Sequence, residues 1–256
     1  MGSARTRRKQ RRLALAWAAS ILAALLLGGG VAGAEDGGPN PMNANPPAVD
    51  AEGGSAVISN GTVSLGVRDL GDLNFSGVGL NYIPTGGEAL NVGCLCEGWG
   101  AADATTAVQG WASVNFGTSN VALVSFASTA STATSVTTVG STLRVTHDYK
   151  PSSATPFLYE ITVKIENISG APVDLRYSRD MDWDVPPTPF NEFVTIQGTA
   201  AEPTVLHADN NGFQAPGPLI PRVSLGAVGD FVDVGPFDHG ALFDLGFGPL
   251  AAGATR

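Results

Sequence analysis

The stretch FLYEITVKIENISGAPVDLRYSRDMDWD, Phe157 to Asp184, decides the fold. Phe157, Tyr159, Ile161, Val163 and Ile165 fall on one side of an extended chain, and Glu160, Thr162, Lys164 and Glu166 on the other. Strict alternation over this length marks a half-buried antiparallel strand, because successive strand side chains point to opposite faces. Asn167-Ile168-Ser169-Gly170 turns the chain, and a second long strand runs from Val173 to Val185.

Outward from this hairpin the same grammar continues. Ala56 to Ser59 reads as a strand, Asn60-Gly61 as a tight turn, and Thr62 to Arg68 as the returning strand. Asp69 to Gly79 reads as further hairpin and Leu80 to Ile83 as another strand. Residues 84–111 read as loop, with Pro84, Gly86-Gly87 and then Cys94-Leu95-Cys96-Glu97-Gly98-Trp99-Gly100. Short strands are expected at 112–116, 120–127, 133–139 and 141–149. Ala241 to Phe247 reads as a strand, and Pro249 to Thr255 as a turn into one more. That last strand is missing, so the chain reads as a fragment or as cut short at its C-terminus. No helix-period segment and no fixed-period repeat follows the first 34 residues. Val, Thr and Ser with 33 Gly and 17 Pro favour short strands and many turns.

The expected fold class is therefore all-β, a mostly antiparallel β-sandwich in one domain over 55–256. A larger mutarotase-like supersandwich is the alternative, since about a dozen short strands exceed a minimal immunoglobulin fold.

Residues 1–34 read as an export signal. Arg5, Arg7, Arg8, Lys9, Arg11 and Arg12 give a basic start, Leu13 to Leu27 an apolar stretch, and Ala32-Gly33-Ala34 the small residues of a cleavage site before Glu35. The apolar run is short for a membrane span, and nothing later approaches one. Arg11-Arg12 has the look of a twin-arginine signal, but Ala14 departs from it, which favours the general secretory route. No Cys stands near the cleavage site to make a lipoprotein. Scarce Lys with abundant Ala, Gly and Arg suggests a bacterial source. Residues 35–54 are Pro, Gly and Asn with almost nothing apolar, the composition of a flexible linker.

Loss of the signal takes six of the 14 basic residues and none of the 23 acids, so the net charge moves from −9 to −15. Such a chain is repelled by phosphate backbones and anionic lipid. Nucleic acid and membrane surfaces are thereby disfavoured, and cations, neutral glycans or proteins favoured.

The strand from Val173 to Val185 carries the best site candidates. Its even positions include Asp180, Asp182 and Asp184, which an extended chain sets on one face about 7 Å apart. Like charges so placed repel and call for neutralisation. Calcium, a hard cation that takes oxygen ligands, is one answer, with Asn191 and Glu192 beyond the Pro-rich turn 185–189 as further donors. The set Asp180, Asp182, Asp184 and Glu192 is the candidate metal site. It is no EF-hand, because Val185 stands where that loop needs Gly and no closing acid follows. The plainer alternative is a solvated strand face answered by Arg144 or Lys164.

Arg179 stands on the apolar face of the same strand. Buried, it needs a carboxylate or several carbonyls; alternatively, a bulge at Ser178-Arg179 turns it to water. Cys94 and Cys96 are the only cysteines, and in an oxidising compartment a local disulfide is expected. A zinc site would need His147, His207 or His239 beside them. Asp238-His239 has the types of an orienting acid and a general base, with no nucleophile motif to accompany it. Trp99, Trp111 and Trp183 are candidates for a sugar-stacking platform or for ordinary packing. Asn60-Gly61-Thr62, Asn74-Phe75-Ser76 and Asn167-Ile168-Ser169 match the glycosylation sequon, and in a bacterial chain they read as turns.

Residues 157–184 resemble the strand–N-x-S-G-x-P-V–strand hairpin of bacterial exported immunoglobulin-like domains. Met181-Asp-Trp-Asp-Val-Pro-Pro-Thr-Pro-Phe190 resembles segments of uncharacterised bacterial secreted proteins, some of which carry C-terminal sorting signals. Together, residues 157–190 are about one eighth of the chain. The resemblance implies architecture and location and transfers no catalytic residue. The expected function is an exported, non-catalytic binding or cell-surface structural module stiffened by calcium. The alternative is a carbohydrate-active enzyme using the acids from Asp182 to Glu192.

Overall fold

The computed structural model describes residues 54–256. The expected signal, and all of the expected linker but Gly54, lie outside the described residues.

Sixteen strands follow in chain order. β1 (Ala56–Ser59), β2 (Val63–Val67), β3 (Leu80–Tyr82) and β4 (Gly87–Glu88) form one antiparallel sheet in sequence order. β5 (Gly98–Asp103), β6 (Val108–Ser113) and β7 (Gly117–Ser119) come next, then the meander β8 (Val121–Ser128), β9 (Ala133–Val139), β10 (Leu143–Pro151) and β11 (Tyr159–Asn167). β12 (Val173–Asp182), β13 (Glu192–Ile196), β14 (Val205–Asp209), β15 (Phe231–Phe237) and β16 (Gly240–Leu250) complete the set. The meander is a second four-stranded sheet; the third runs β14-β16-β12-β5-β6-β7; β13 and β15 pair only with each other. Every strand pair is antiparallel, and the described residues contain no α-helix and so none long and apolar enough to cross a membrane. The fold is an all-β antiparallel sandwich.

The main core lies between the six-stranded sheet and the meander. Val173, Leu175 and Tyr177 of β12 meet Trp99 and Ala101 of β5 and Val139, Leu143, Val145 and Ile165 of the meander. A second core joins Ile58, Val63, Leu65 and Val67 of β1 and β2 to Ala133 and Tyr149. The alternation read at 157–184 thus turns Ile165, Val173, Leu175 and Tyr177 inward, whereas Phe157 at its start is exposed. The turns follow the expected chemistry: Asn60 Oδ1 accepts from the N–H groups of Thr62 (3.0 Å) and Val63 (2.8 Å), and Asn167 Oδ1 accepts from that of Ser169 (3.0 Å).

Two regions differ from expectation. Residues 84–111, expected as loop, contain β5, β6 and the short β4, and all six residues of β5 are buried. β5 is short of large apolar side chains because it is covered on both faces. One side packs into the sandwich; on the other, a Cβ at Gly100 would collide with the Pro216 carbonyl, and one at Gly98 would come within 2.9 Å of the Pro216 ring. A strand that must admit another backbone uses Gly, and so it imitates a loop. The stretch from Val185 to His239, to which the sequence reading assigns no element beyond the Pro-rich turn, contains β13, β14 and β15. At the other end, the chain turns after β16 and pairs beside β11, where Ile165 and Arg256 exchange backbone hydrogen bonds of 2.9 and 2.8 Å.

Candidate functional site

β12 has two unlike faces, and its polar face is not solvated. Ser178, Asp180 and Asp182 are buried, as is Asp184 just beyond the strand. The cover over Ser178 is the segment 210–222, pinned by Arg222. The Arg222 guanidinium donates to both carboxyl oxygens of Asp244 (2.8 and 2.7 Å), to the carbonyls of Ala215 and Gly217, and to Ser178 Oγ, which itself donates to the Pro216 carbonyl (2.6 Å). Gly212 presses on the backbone at Met181 and Asp182. The solvated-row alternative is therefore corrected. Arg144 bonds Glu166 across the meander (2.6 Å) instead, and Lys164 is exposed on that same sheet.

The row splits. Asp180 lies between Gly98 of β5 and Leu242 of β16 in the ladder, within the field of Glu97, Arg222 and Arg179. Burial, with the Glu97 charge adding to it, raises its pKa well above the ordinary carboxylate range. Asp182 and Asp184 lie at the other end, where the chain leaves β12. There Glu192, which opens β13, and Asp238, between β15 and β16, join them.

Asp184, Glu192 and Asp238 each offer a carboxylate oxygen, and the three lie within 4.8 Å of one another. Two oxygens bound at about 2.4 Å to one ion can be no farther apart than about that span. Asp182 stands against all three electrostatically. Both carboxyl oxygens of Asp182 and of Glu192 are buried without a hydrogen-bond partner; Asp184 Oδ1 accepts from the Phe190 N–H (3.0 Å), and its Oδ2 has none. Burial first, and the neighbouring acids second, push Asp182 up to about 9, Asp184 to about 7 and Glu192 to about 8. No Lys or Arg acts on any of the three. Buried carboxyl groups with so few hydrogen bonds and no Lys or Arg acting on them form a ligand set for a hard cation, or else they carry protons.

Asn191, considered as a further donor, is exposed, and its N–H closes the turn on Thr188 O (3.1 Å). Asp238, absent from the candidate set read in sequence, belongs to the group of three. In sequence it stands out only beside His239. His239 stands between Asn210 Nδ2 and the Glu192 carbonyl (both 3.2 Å), and burial lowers its pKa, leaving it neutral.

The remaining candidates are dispersed. Arg179 is buried and ion-paired with buried Glu97, and it donates to Tyr149 Oη (3.1 Å). Glu97 also accepts from the Leu73 N–H (2.6 Å). The alternative of a bulge turning Arg179 to water is thus excluded. Cys94 and Cys96 are joined as a disulfide, Cα to Cα 5.1 Å, packed with Phe213, Phe116 and Leu225. No His serves that pair: His147 meets Tyr177 Oη (3.0 Å) and His207 meets Asp209 (2.7 Å). Trp99 is wholly buried in the sandwich core, so it belongs to no sugar platform.

Comparison with known proteins returns no matching family model, no matching curated protein and no matching solved structure.

Proposed function

We propose that this protein is an exported, non-catalytic surface or binding module stiffened by calcium at the joint of Asp182, Asp184, Glu192 and Asp238. The observation that carries the reading is that Asp182 and Glu192 are buried with no hydrogen-bond partner on either carboxyl oxygen, beside buried Asp184 and half-buried Asp238. An all-oxygen donor set suits calcium better than zinc, which prefers nitrogen and sulfur. Four carboxylates are a high charge count, and affinity for calcium rises with that count. The acidic balance left after loss of the signal, −15, suits a neutral or cationic partner such as a surface glycan or protein.

The enzymatic reading has less support. A glycosidase needs two carboxyl groups flanking a groove that admits a sugar ring. Here Asp182, Asp184 and Glu192 are buried and gathered with Asp238 at one point.

The test is thermal unfolding of the purified protein in EDTA and in millimolar calcium, beside Asp182→Asn. Calcium should raise the Tm of the wild type and leave the variant unmoved. In EDTA the variant should melt above the wild type, because its amide is neutral without the proton that the buried Asp182 must take up on folding. A wild type indifferent to calcium would sink the proposal.

A further inference from the structure

The joint's four acids come from three chain segments. Asp182 ends β12, Asp184 follows it, Glu192 opens β13, and Asp238 links β15 to β16. Asp182 faces Gly240 across β12 and β16, and Glu192 faces Phe237 across β13 and β15. The joint is therefore the place where the β13–β15 ribbon leaves and re-enters the six-stranded sheet.

The ribbon has little else to hold it. Its two strands pair with no third, and a two-stranded ribbon is marginal by itself in water. Its inner face sets Val194, Ile196 and Phe231 against Ala208, Ala241, Val205, Phe243 and Trp183. Its outer face exposes Phe193 and Val232 to solvent. Two polar ties reach its base, His239 to the Glu192 carbonyl and the Phe190 N–H to Asp184. Against these stand the mutually repelling carboxylates, with the fully buried Asp182 unpartnered at both oxygens.

We propose that cation occupancy of this joint decides whether the β13–β15 ribbon is seated on the sandwich or released from it. The inference rests on the joint being a cation site, and it adds where the bound ion acts. Seated, the ribbon covers the apolar patch of Ala208, Ala241 and Phe243; released, it bares that patch and its own Val194 and Ile196. The main core between the sheets shares none of these residues, so it stays closed in both states.

The experiment combines equilibrium dialysis against calcium with hydrogen exchange of the intact protein, read by peptide. With calcium at about ten times its dissociation constant, opening that releases the ion should be suppressed about tenfold. The expected result is calcium binding with roughly tenfold slower exchange in 192–196 and 231–237, and less than about twofold change in 143–167. Asp184→Asn should keep the fold and lose both the binding and the selective protection. Binding with equal protection everywhere, or with none in the ribbon, would overturn this inference and leave the cation site standing. No binding would overturn both.

Discussion

Two buried clusters of charge in this molecule differ in one respect. Around Glu97, acid and base arrive together: Arg179 pairs with Glu97, Arg68 with Asp72 (2.8 Å), and Tyr149, Tyr177 and the Leu73 N–H supply hydrogen bonds. At the joint, neither Lys nor Arg acts on Asp182, Asp184 or Glu192. The first cluster is electrically closed by the fold. It ties the 68–73 segment to β10 and β12, with Tyr149 Oη donating to Gly71 O (2.7 Å) and Trp99 Nε1 to Leu70 O (2.9 Å). The second is left open to something the chain does not supply. Asp180, also buried with neither oxygen hydrogen-bonded, lies beside the first cluster, within the field of Arg179 and Arg222, so it is the lack of a basic neighbour that sets the joint apart.

The largest effect should come from breaking the closed cluster. Removing one member of a buried pair strands the other, at a cost of about 3–5 kcal/mol. Arg179→Met should lower the unfolding free energy from urea titration by that much, equally in calcium and in EDTA. A calcium-dependent loss would mean that the two clusters are coupled, and the contrast between them would fail.

Next is the open cluster. Calcium at about one hundred times its dissociation constant should add about 2.7 kcal/mol. For a chain of this size that corresponds to a rise in Tm of roughly 5–10 °C by calorimetry. Asp184→Asn or Asp182→Asn should abolish the rise.

The pH dependence should distinguish the clusters again. In EDTA the joint's acids have folded pKa values above their ordinary ones, so the native state holds protons that the unfolded chain gives up. Their contribution is most favourable below about pH 4 and is lost as pH rises through about 7 to 9. Urea midpoints in EDTA should therefore fall between pH 5 and 9. In calcium, which binds the ionised form, the joint's share of the fall should be abolished, leaving only that of Asp72, Glu97 and Asp180. A fall of equal size in both media would contradict a cation at the joint.

The smallest effect should be at the surface. Arg144→Gln breaks a half-exposed pair with Glu166 and should cost less than about 1 kcal/mol in the same titration. A larger loss would mean that surface charge matters more here than either buried cluster suggests.

Much of the fold was legible in the residues. The 157–184 hairpin, the Asn60 turn and the meander from β8 to β11 all announce themselves by period-two alternation or by Asn and Gly at turns. β5 was hidden because a strand that another backbone crosses closely, at Gly98 and Gly100, has the composition of a loop. β13 carries a clear buried–exposed alternation in Glu192-Phe193-Val194-Thr195-Ile196, but it is short and stands between a Pro-rich turn and Gly198.

Of the site, local spacing showed Asp182, Asp184 and Glu192, since they lie within eleven residues of one another. It also drew in Asp180, whose neighbours prove to be Glu97, Arg179 and Arg222. It passed over Asp238, 46 residues beyond Glu192. By itself the sequence determined the all-β class, the strands that alternate, and the presence of a dense run of acids. Only the tertiary structure decided which acids meet, that Asp182, Asp184 and Glu192 are buried, and that no basic residue acts on those three. Alternation is a property of neighbours along the chain, whereas charge compensation depends on which distant segments the sheet order brings together.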